Sequence, residues 1–167
     1  HLKLINKTAI NTTELLNQIL IWAKSQMGKL NLERQKVSFI EVSNEIAELM
    51  DSKLIEKNIK ISISETHNTI LHTDINVFKT ILRNLISNAI KFTNQDGQIS
   101  ISAEKKQSQA IVTVSDNGVG IEEDAMSKLF QLNNDYTTRG TKKEKGTGFG
   151  LKLCKELVEK QGGKIWV

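Results

Sequence analysis

Asn84, Asn88 and Lys91 stand at i, i+4 and i+7 of an apolar-periodic run, so a helix carries two amides and an ammonium along one stripe. An amide oxygen is a hard ligand suited to Mg²⁺, which takes one or two protein oxygens and keeps the rest of its shell for phosphate and water. An ammonium on the same stripe can reach a phosphate. Further along, Asp116 ends an apolar strand and is followed by Gly118, Gly120 and Ile121. A carboxylate there can accept a hydrogen bond from the exocyclic amine of adenine, and the glycines let backbone approach a flat base. A third group, Gly146-Thr147-Gly148-Phe149-Gly150-Leu151, opens a helix whose free N–H groups and positive dipole end favour phosphate. It fits neither the P-loop template nor the dinucleotide-binding one. Each group alone has a plainer reading: surface amides, a tight turn, a flexible hinge. Together they point to one nucleotide site.

Other residues offer less. His1, His67 and His72 lack metal-ligand spacing, and no motif marks a serine or cysteine nucleophile. The single cysteine, Cys154, falls inside an apolar helical pattern, reads as a small core residue and suits a reducing compartment. Trp22 and Trp166 sit in apolar patterns and are expected to pack. The net charge of +4 raises nucleic acid as a partner, but no arginine-rich helix or aromatic-studded strand supports it, and none is expected. Basic residues gather only at Arg139, Lys142, Lys143 and Lys145, either as a solvated loop or as contacts to a bound polyanion.

The elements that must position these groups follow from periodicity. With 167 residues, 38% hydrophobic and 25% charged, the chain is long enough for one globular domain and a short appendage. No apolar run approaches the roughly 20 residues of a membrane span, and no secretory signal is visible. A helix is predicted from Leu4 to Gly28, then a polar bridge from Lys29 to Ser38 and a second helix from Phe39 to Glu56. Ile59 to Ile63 alternates as a strand, and Thr69 to Thr73 reads as another. Asp74 is a good N-cap for the long helix that reaches Thr93. On that helix Ile75, Phe78, Ile81, Leu82, Leu85, Ile86, Ala89 and Phe92 share the core arc, while Lys79, Arg83 and Ser87 point to water.

Gln98 to Ala103 and Gln109 to Ser115 read as a hairpin, with Lys105 to Ser108 as its turn. Glu122 to Lys128 is a short helix. Gln131 to Lys145 has no periodicity and no large apolar residue, the character of a lid or a disordered segment. A helix follows from Phe149 to Lys160, ended by Gly162-Gly163, and Lys164 to Val167 starts a strand whose partner is expected to lie beyond the chain. This order is not a regular βαβ alternation. It predicts an α+β fold, a two-layer α/β sandwich with a mixed sheet and helices on one face, preceded by a separate N-terminal helix.

The three groups, in this order and spacing, resemble the N box and the two glycine boxes of the ATP-binding catalytic domain of two-component sensor histidine kinases. Leu129-Phe130 resembles the phenylalanine box between them. The runs Thr138 to Thr141, Glu144 to Leu151, Cys154 to Glu156 and Gly162 to Val167 resemble a subclass in membrane-bound and hybrid kinases. Leu16 to Leu30 is similar to the end of the second helix of the family's dimerisation and phosphoacceptor domain. The resemblance thus divides the chain into residues 1–36, a helix end and linker, and 37–167, the catalytic domain.

The resemblance implies ATP and Mg²⁺ as ligands. By position, Asn88 is the metal ligand, Lys91 a phosphate contact, Phe92 a stacking neighbour of adenine and Asp116 the reader of its amine. Gly118, Gly120, Ile121, Gly146, Thr147, Gly148, Gly150 and Leu151 line the nucleotide, and Arg139 neutralises charge on the γ-phosphoryl group. Implied partners are a histidine-bearing dimerisation domain and a response regulator receiver domain. The expected setting is cytoplasmic, as a monomeric fragment of a homodimer. The family's phosphoacceptor motif and its proline are absent, so the chain is expected to bind ATP while lacking its own acceptor histidine. Phe149 stands where leucine is common.

The same fold, by resemblance, serves ATP-hydrolysing clamp proteins, which carry a glutamate as general base one turn before the metal-binding asparagine. Asn84 occupies that position here, and it orients without taking a proton. Transfer by a protein-histidine kinase is therefore expected, against a clamp-type ATPase or an ATP-binding scaffold.

Overall fold

The computed structural model describes residues 2–66, 68–126, 128–131, 138–144 and 148–167, with side chains from residue 12 onward except that of residue 14. Helix α1 spans Leu2–Gln26 and is followed by Gly28 in the left-handed region, φ 67°. A short strand, β1 (Gln35–Ser38), precedes α2 (Phe39–Leu49) and α3 (Asp51–Glu56). Strands β2 (Lys60–Glu65) and β3 (Ile70–Thr73) lead to α4 (Ile75–Phe92). The hairpin β4 (Gln98–Lys106) and β5 (Gln109–Asp116) comes next, then α5 (Glu123–Met126) and α6 (Gly150–Lys160).

Two sheets form. β1 pairs antiparallel with β3; β2 pairs parallel with β4, and β4 antiparallel with β5, so the larger sheet is mixed. Its alternation is plain in β4, where Ile99, Ile101 and Ala103 are buried and Ser100 is exposed. The hairpin turn is tighter than predicted: the strands run to Lys106 and from Gln109, leaving Gln107 and Ser108, with Gln107 at φ 53°.

Helix α4 lies between two apolar clusters. One fills the space between α2, α4 and the larger sheet, with Phe39, Ile46, Leu82, Ile86, Ile99 and Ile101 nearly or fully enclosed. The other joins Val77 and Ile81 to Leu153, Cys154 and Leu157 of α6, with Trp22 of α1 packed against it. A fully buried leucine such as Leu82 contributes about 1.5–3 kcal/mol of burial. Because α4 is covered on two sides, Val77 and Ile90 are also buried, outside the arc expected from one face. Phe92 is only half-buried, and Lys79 lies half-covered with its ammonium 2.6 Å from Glu45.

Several expectations need correcting. The bridge from Lys29 to Ser38 holds a strand, β1, whose four residues contain one apolar side chain and so give no periodic signal. The helix predicted over Phe39 to Glu56 breaks at Met50, at φ −99°, ψ 0°, whose N–H bonds to the Ala47 carbonyl three residues back, at 3.0 Å, and caps α2. Lys164 to Val167 joins no ladder among the described residues; Ile165 packs against the α6 cluster and Trp166 is 61% exposed, not packed. On α1, Leu16, Ile19 and Leu20 are exposed, whereas Ile21 and Trp22 face the body of the domain. No helix among the described residues is long and apolar enough to cross a membrane.

Candidate functional site

The start of α4 is fixed by Asp74, as predicted. Its Oδ1 accepts from the N–H groups of Asn76 and Val77 at 2.9 and 3.1 Å, satisfying two donors the helix leaves free. Its Oδ2 accepts from the Glu33 N–H at 3.0 Å, which ties the connection after α1 to the same cap. With the start held, the stripe at the border of the apolar face is fixed in direction.

Asn84 is half-buried and engaged at both ends of its amide. Nδ2 donates to the Thr80 carbonyl at 2.8 Å, and Oδ1 accepts from Gln18 Nε2 of α1 at 3.1 Å. Asn88, one turn on, is also half-buried, and its amide has no hydrogen-bond partner among the described residues. Lys91 Nζ stands 4.5 Å from the centre of the Phe92 ring and donates to the Thr138 carbonyl at 2.8 Å. Burial holds its ammonium below the ordinary value of 10.5, partly offset by the attraction of Glu144.

Asp116 is the exposed last residue of β5, and its Oδ1 accepts from the Gly118 N–H at 2.9 Å. That bond curls the chain so that Val119 N donates to the Phe92 carbonyl at 3.2 Å. Gly118 thereby packs on the end of α4, where a Cβ would overlap the Phe92 carbonyl oxygen. Gly120 sits at φ 71°, open to solvent and reachable without strain only by glycine. Ile121 is 40% exposed beside it.

Gly148, at φ 67°, and Gly150 lead into α6, with Phe149 as N-cap residue and Leu151 in the first turn. Phe149 meets Trp22 of α1 edge-on, ring centres 5.9 Å apart. Gly150 faces Asn84. Lys145, Gly146 and Thr147 lie outside the described residues.

Residues 138–144 fold back over the C-terminal end of α4. Thr141 N donates to the Lys91 carbonyl at 3.0 Å, and Gly140 N to the Glu144 carbonyl at 3.0 Å. Arg139 is exposed on this segment, close in sequence to the Thr138 carbonyl that holds Lys91. Lys142 turns the other way, its ammonium donating to the Glu56 carbonyl at 2.8 Å.

Asn84, Asn88, Lys91, Phe92, Asp116, Gly118 and Gly150 therefore gather about one helix, joined by direct contacts between motifs. A small cleft of about 100 Å³ on the α1 side, lined by Asn17, Gln18, Thr80, Arg83, Asn84 and Ser87 among others, shares only Asn84 with this set. Among the described residues no group of three or more His, Cys, Asp or Glu could hold a metal ion. The Asn88 amide, without a partner among the described residues, is of a kind that would suit Mg²⁺ arriving with most of its shell supplied by phosphate and water.

Residues 73–167, more than half of the chain, match the model of the histidine kinase-, DNA gyrase B- and HSP90-like ATPase family. The chain belongs to that family. The catalytic domain of histidine kinase ThkA has the same fold at 30% identity and a TM-score of 0.70, covering 80% of this chain and 86% of that one. A second ThkA structure, in complex with the response regulator protein TrrA, matches at 26% identity and a TM-score of 0.67, covering 94% of this chain and 45% of that one. Hybrid signal transduction histidine kinase C of Dictyostelium discoideum is 32% identical over 99% of this chain, which spans 14% of that protein. The chain is an ATP-binding catalytic domain of the sensor histidine kinase type, with the mixed sheet and helices of that fold.

In this histidine kinase domain three residues around the site are given no role by the sequence: Lys57, outside every motif, and Thr141 and Glu144, which lie in runs that carry the family resemblance. Lys57 is 3% exposed and continues the Met50, Leu54 stripe at i, i+4, i+7. A lysine on a buried stripe is the signal that could have found it.

Proposed function

We propose that this domain transfers the γ-phosphoryl group of ATP to a histidine on a dimerisation domain, with Mg²⁺ carried by Asn88. The acceptor nitrogen attacks phosphorus, the bond to the β,γ-bridging oxygen breaks, and ADP leaves. Asp116 accepts from the adenine amine and Phe92 lies beside the ring. Lys91 and Arg139 face the phosphates, and exchange of Lys91 from the Thr138 carbonyl to phosphate replaces one acceptor by another. The backbone of Gly118, Gly120, Ile121, Gly146, Thr147, Gly148, Gly150 and Leu151 shapes the walls. Asn84 orients groups at the site and supplies no base for water, which favours transfer over hydrolysis.

The observation that carries this reading is the contact of both glycine motifs with the helix that carries the first motif. Gly150 abuts Asn84, Gly118 abuts Phe92, and Asn88 stands between them on α4, its amide without a hydrogen-bond partner among the described residues.

In the same proposal residues 1–36 are the end of a dimerisation helix with its linker, and residues 37–167 are the catalytic domain, placed in the cytoplasm. The response regulator as downstream partner rests on the ThkA–TrrA complex. The deciding experiment supplies a histidine-bearing dimerisation domain in trans, with Mg²⁺ and ATP labelled at the γ position. Acid-labile label on that domain is expected. Binding of ATP without transfer points to a scaffold, and rapid hydrolysis by the chain alone to a clamp-type ATPase.

A further inference from the structure

Lys57 follows α3 as its C-cap residue, and its ammonium is almost fully enclosed, with 4% of the side chain exposed. Burying an ammonium is unfavourable unless it is fully paired and hydrogen-bonded. Lys57 is. Nζ donates to the carbonyls of Ile90 and Lys91 at 2.7 and 3.0 Å, and a third, Thr93 O, lies at 3.4 Å. These are the free carbonyls at the negative end of α4. On its other side the same atom meets Thr141 Oγ1 at 2.7 Å and Glu144 Oε1 at 2.7 Å. Thr141 Oγ1 also donates to Thr93 O at 2.9 Å.

One buried cation thus joins the end of the long helix to the 138–144 segment. That segment encloses Lys91 from both ends: Thr141 N bonds its carbonyl, and the Thr138 carbonyl takes its ammonium. Gly140 fits there because a Cβ would strike Lys91 and Glu144.

We propose that Lys57 is a positioning residue for the nucleotide site, a buried clasp that holds residues 138–144 on the end of α4 and so places Lys91 and Arg139 toward the phosphates. The inference rests on the nucleotide reading above and goes beyond it by assigning a residue that touches no nucleotide. The Glu144 carboxylate, next to a site for a polyanion, is drawn away and neutralised by the same ammonium. Cutting the clasp frees a negative charge beside the phosphates and releases the backbone that sets Lys91.

The test compares Lys57→Met, Lys57→Arg, Glu144→Gln and Thr141→Val in the full chain. It reads amide hydrogen exchange at residues 138–144, thermal stability, and Mg²⁺–ATP affinity by calorimetry. Lys57→Met is expected to raise exchange at Gly140 and Thr141 while leaving β4 and β5 protected. It should weaken ATP binding at least about tenfold, equivalent to about 1.4 kcal/mol. Lys57→Arg, which keeps a cation, restores part of both. Should Lys57→Met fail to fold, Glu144→Gln and Thr141→Val decide, since they cut the loop half of the clasp and leave the helix carbonyls capped. Unchanged exchange in those variants overturns the clasp; raised exchange with unchanged ATP affinity overturns the positioning role. If the unsubstituted chain binds no ATP, the nucleotide reading fails, and the exchange arm still judges the clasp.

Discussion

A Cβ atom placed on Gly150 would stand 2.7 Å from Oδ1 of Asn84, the oxygen that accepts from Gln18. The start of α6 and the middle of α4 therefore approach so closely that only a hydrogen fits between them. Residues 66 positions apart (150 less 84) are in contact through the least bulky side chain available. A similar approach joins Gly118 to Phe92, with one difference: the obstacle there is a backbone carbonyl, not the end of a side chain.

That difference yields contrasting expectations for two alanine substitutions. In Gly150→Ala the Asn84 amide can swing aside, and alanine favours the first turn of a helix, so stability should change by less than about 1 kcal/mol. Phosphoryl transfer should nevertheless fall, because Asn84 loses its orientation. In Gly118→Ala the methyl meets fixed backbone, and a loss of about 1–3 kcal/mol is expected from overpacking. Denaturant titration of both variants checks the ranking. Equal stability losses would mean that Asn84 is as rigid as the Phe92 carbonyl.

Asp116→Asn should weaken ATP binding while leaving thermal stability nearly unchanged. Asp116 is exposed, and an asparagine can still accept from the Gly118 N–H through its oxygen. Held in that orientation, its NH₂ group would face the adenine amine of the proposed nucleotide, donor against donor. Affinity measured by calorimetry should drop by tenfold or more, on the order of 1.4 kcal/mol. An unaltered affinity would remove Asp116 from the base-reading role.

Much of this arrangement is legible in the amino-acid sequence. The α4 helix announces itself through Asp74 and a long apolar period, and the β4–β5 hairpin through alternation about a polar turn. The candidate residues lie near one another because each motif sits at the end or border of an element that periodicity reveals. What stayed hidden depends on contacts between distant parts. β1 exists because β3 offers it an edge, not because Gln-Lys-Val-Ser is strand-like. Val77 and Ile90 are buried because α6 and α2 cover α4 from separate sides, which a single-face wheel does not represent. The clasp of Lys57, Thr141 and Glu144 is assembled from two segments more than 80 positions apart, and neither the lysine on its buried stripe nor the 138–144 run indicates the other as its partner.

Cys154 should be chemically silent in the folded chain. It is fully enclosed in the α4–α6 cluster, its Sγ 3.8 Å from the Ile81 carbonyl, and burial pushes its thiol up to about 12. Since the thiolate is the reactive form, alkylation at neutral pH requires unfolding. A thiol reagent should label no cysteine in the native chain and one per chain in denaturant. Prompt labelling of the native state would show that α6 opens readily from α4.

Glu144 gives the domain a specific response to acid. Burial by itself would raise its pKa, but the hydrogen bond from Lys57, backbone N–H donors and the Lys57 charge outweigh this and hold it below the ordinary 4.5. A carboxyl lowered on folding contributes stability that is fully present above its unfolded value and is lost as pH falls through the folded one. The clasp should therefore hold at neutral pH and loosen only below about 4.5. Glu144→Gln isolates the effect, because other carboxylates titrate alike in both proteins and cancel in the difference. The gap in unfolding free energy between the two should be constant from neutral pH down to about pH 5 and narrow below it. Unfolding curves that stay parallel through the acid range would mean that Glu144 binds its proton equally in the folded and unfolded chain, and that its bond to Lys57 exerts no hold on residues 138–144.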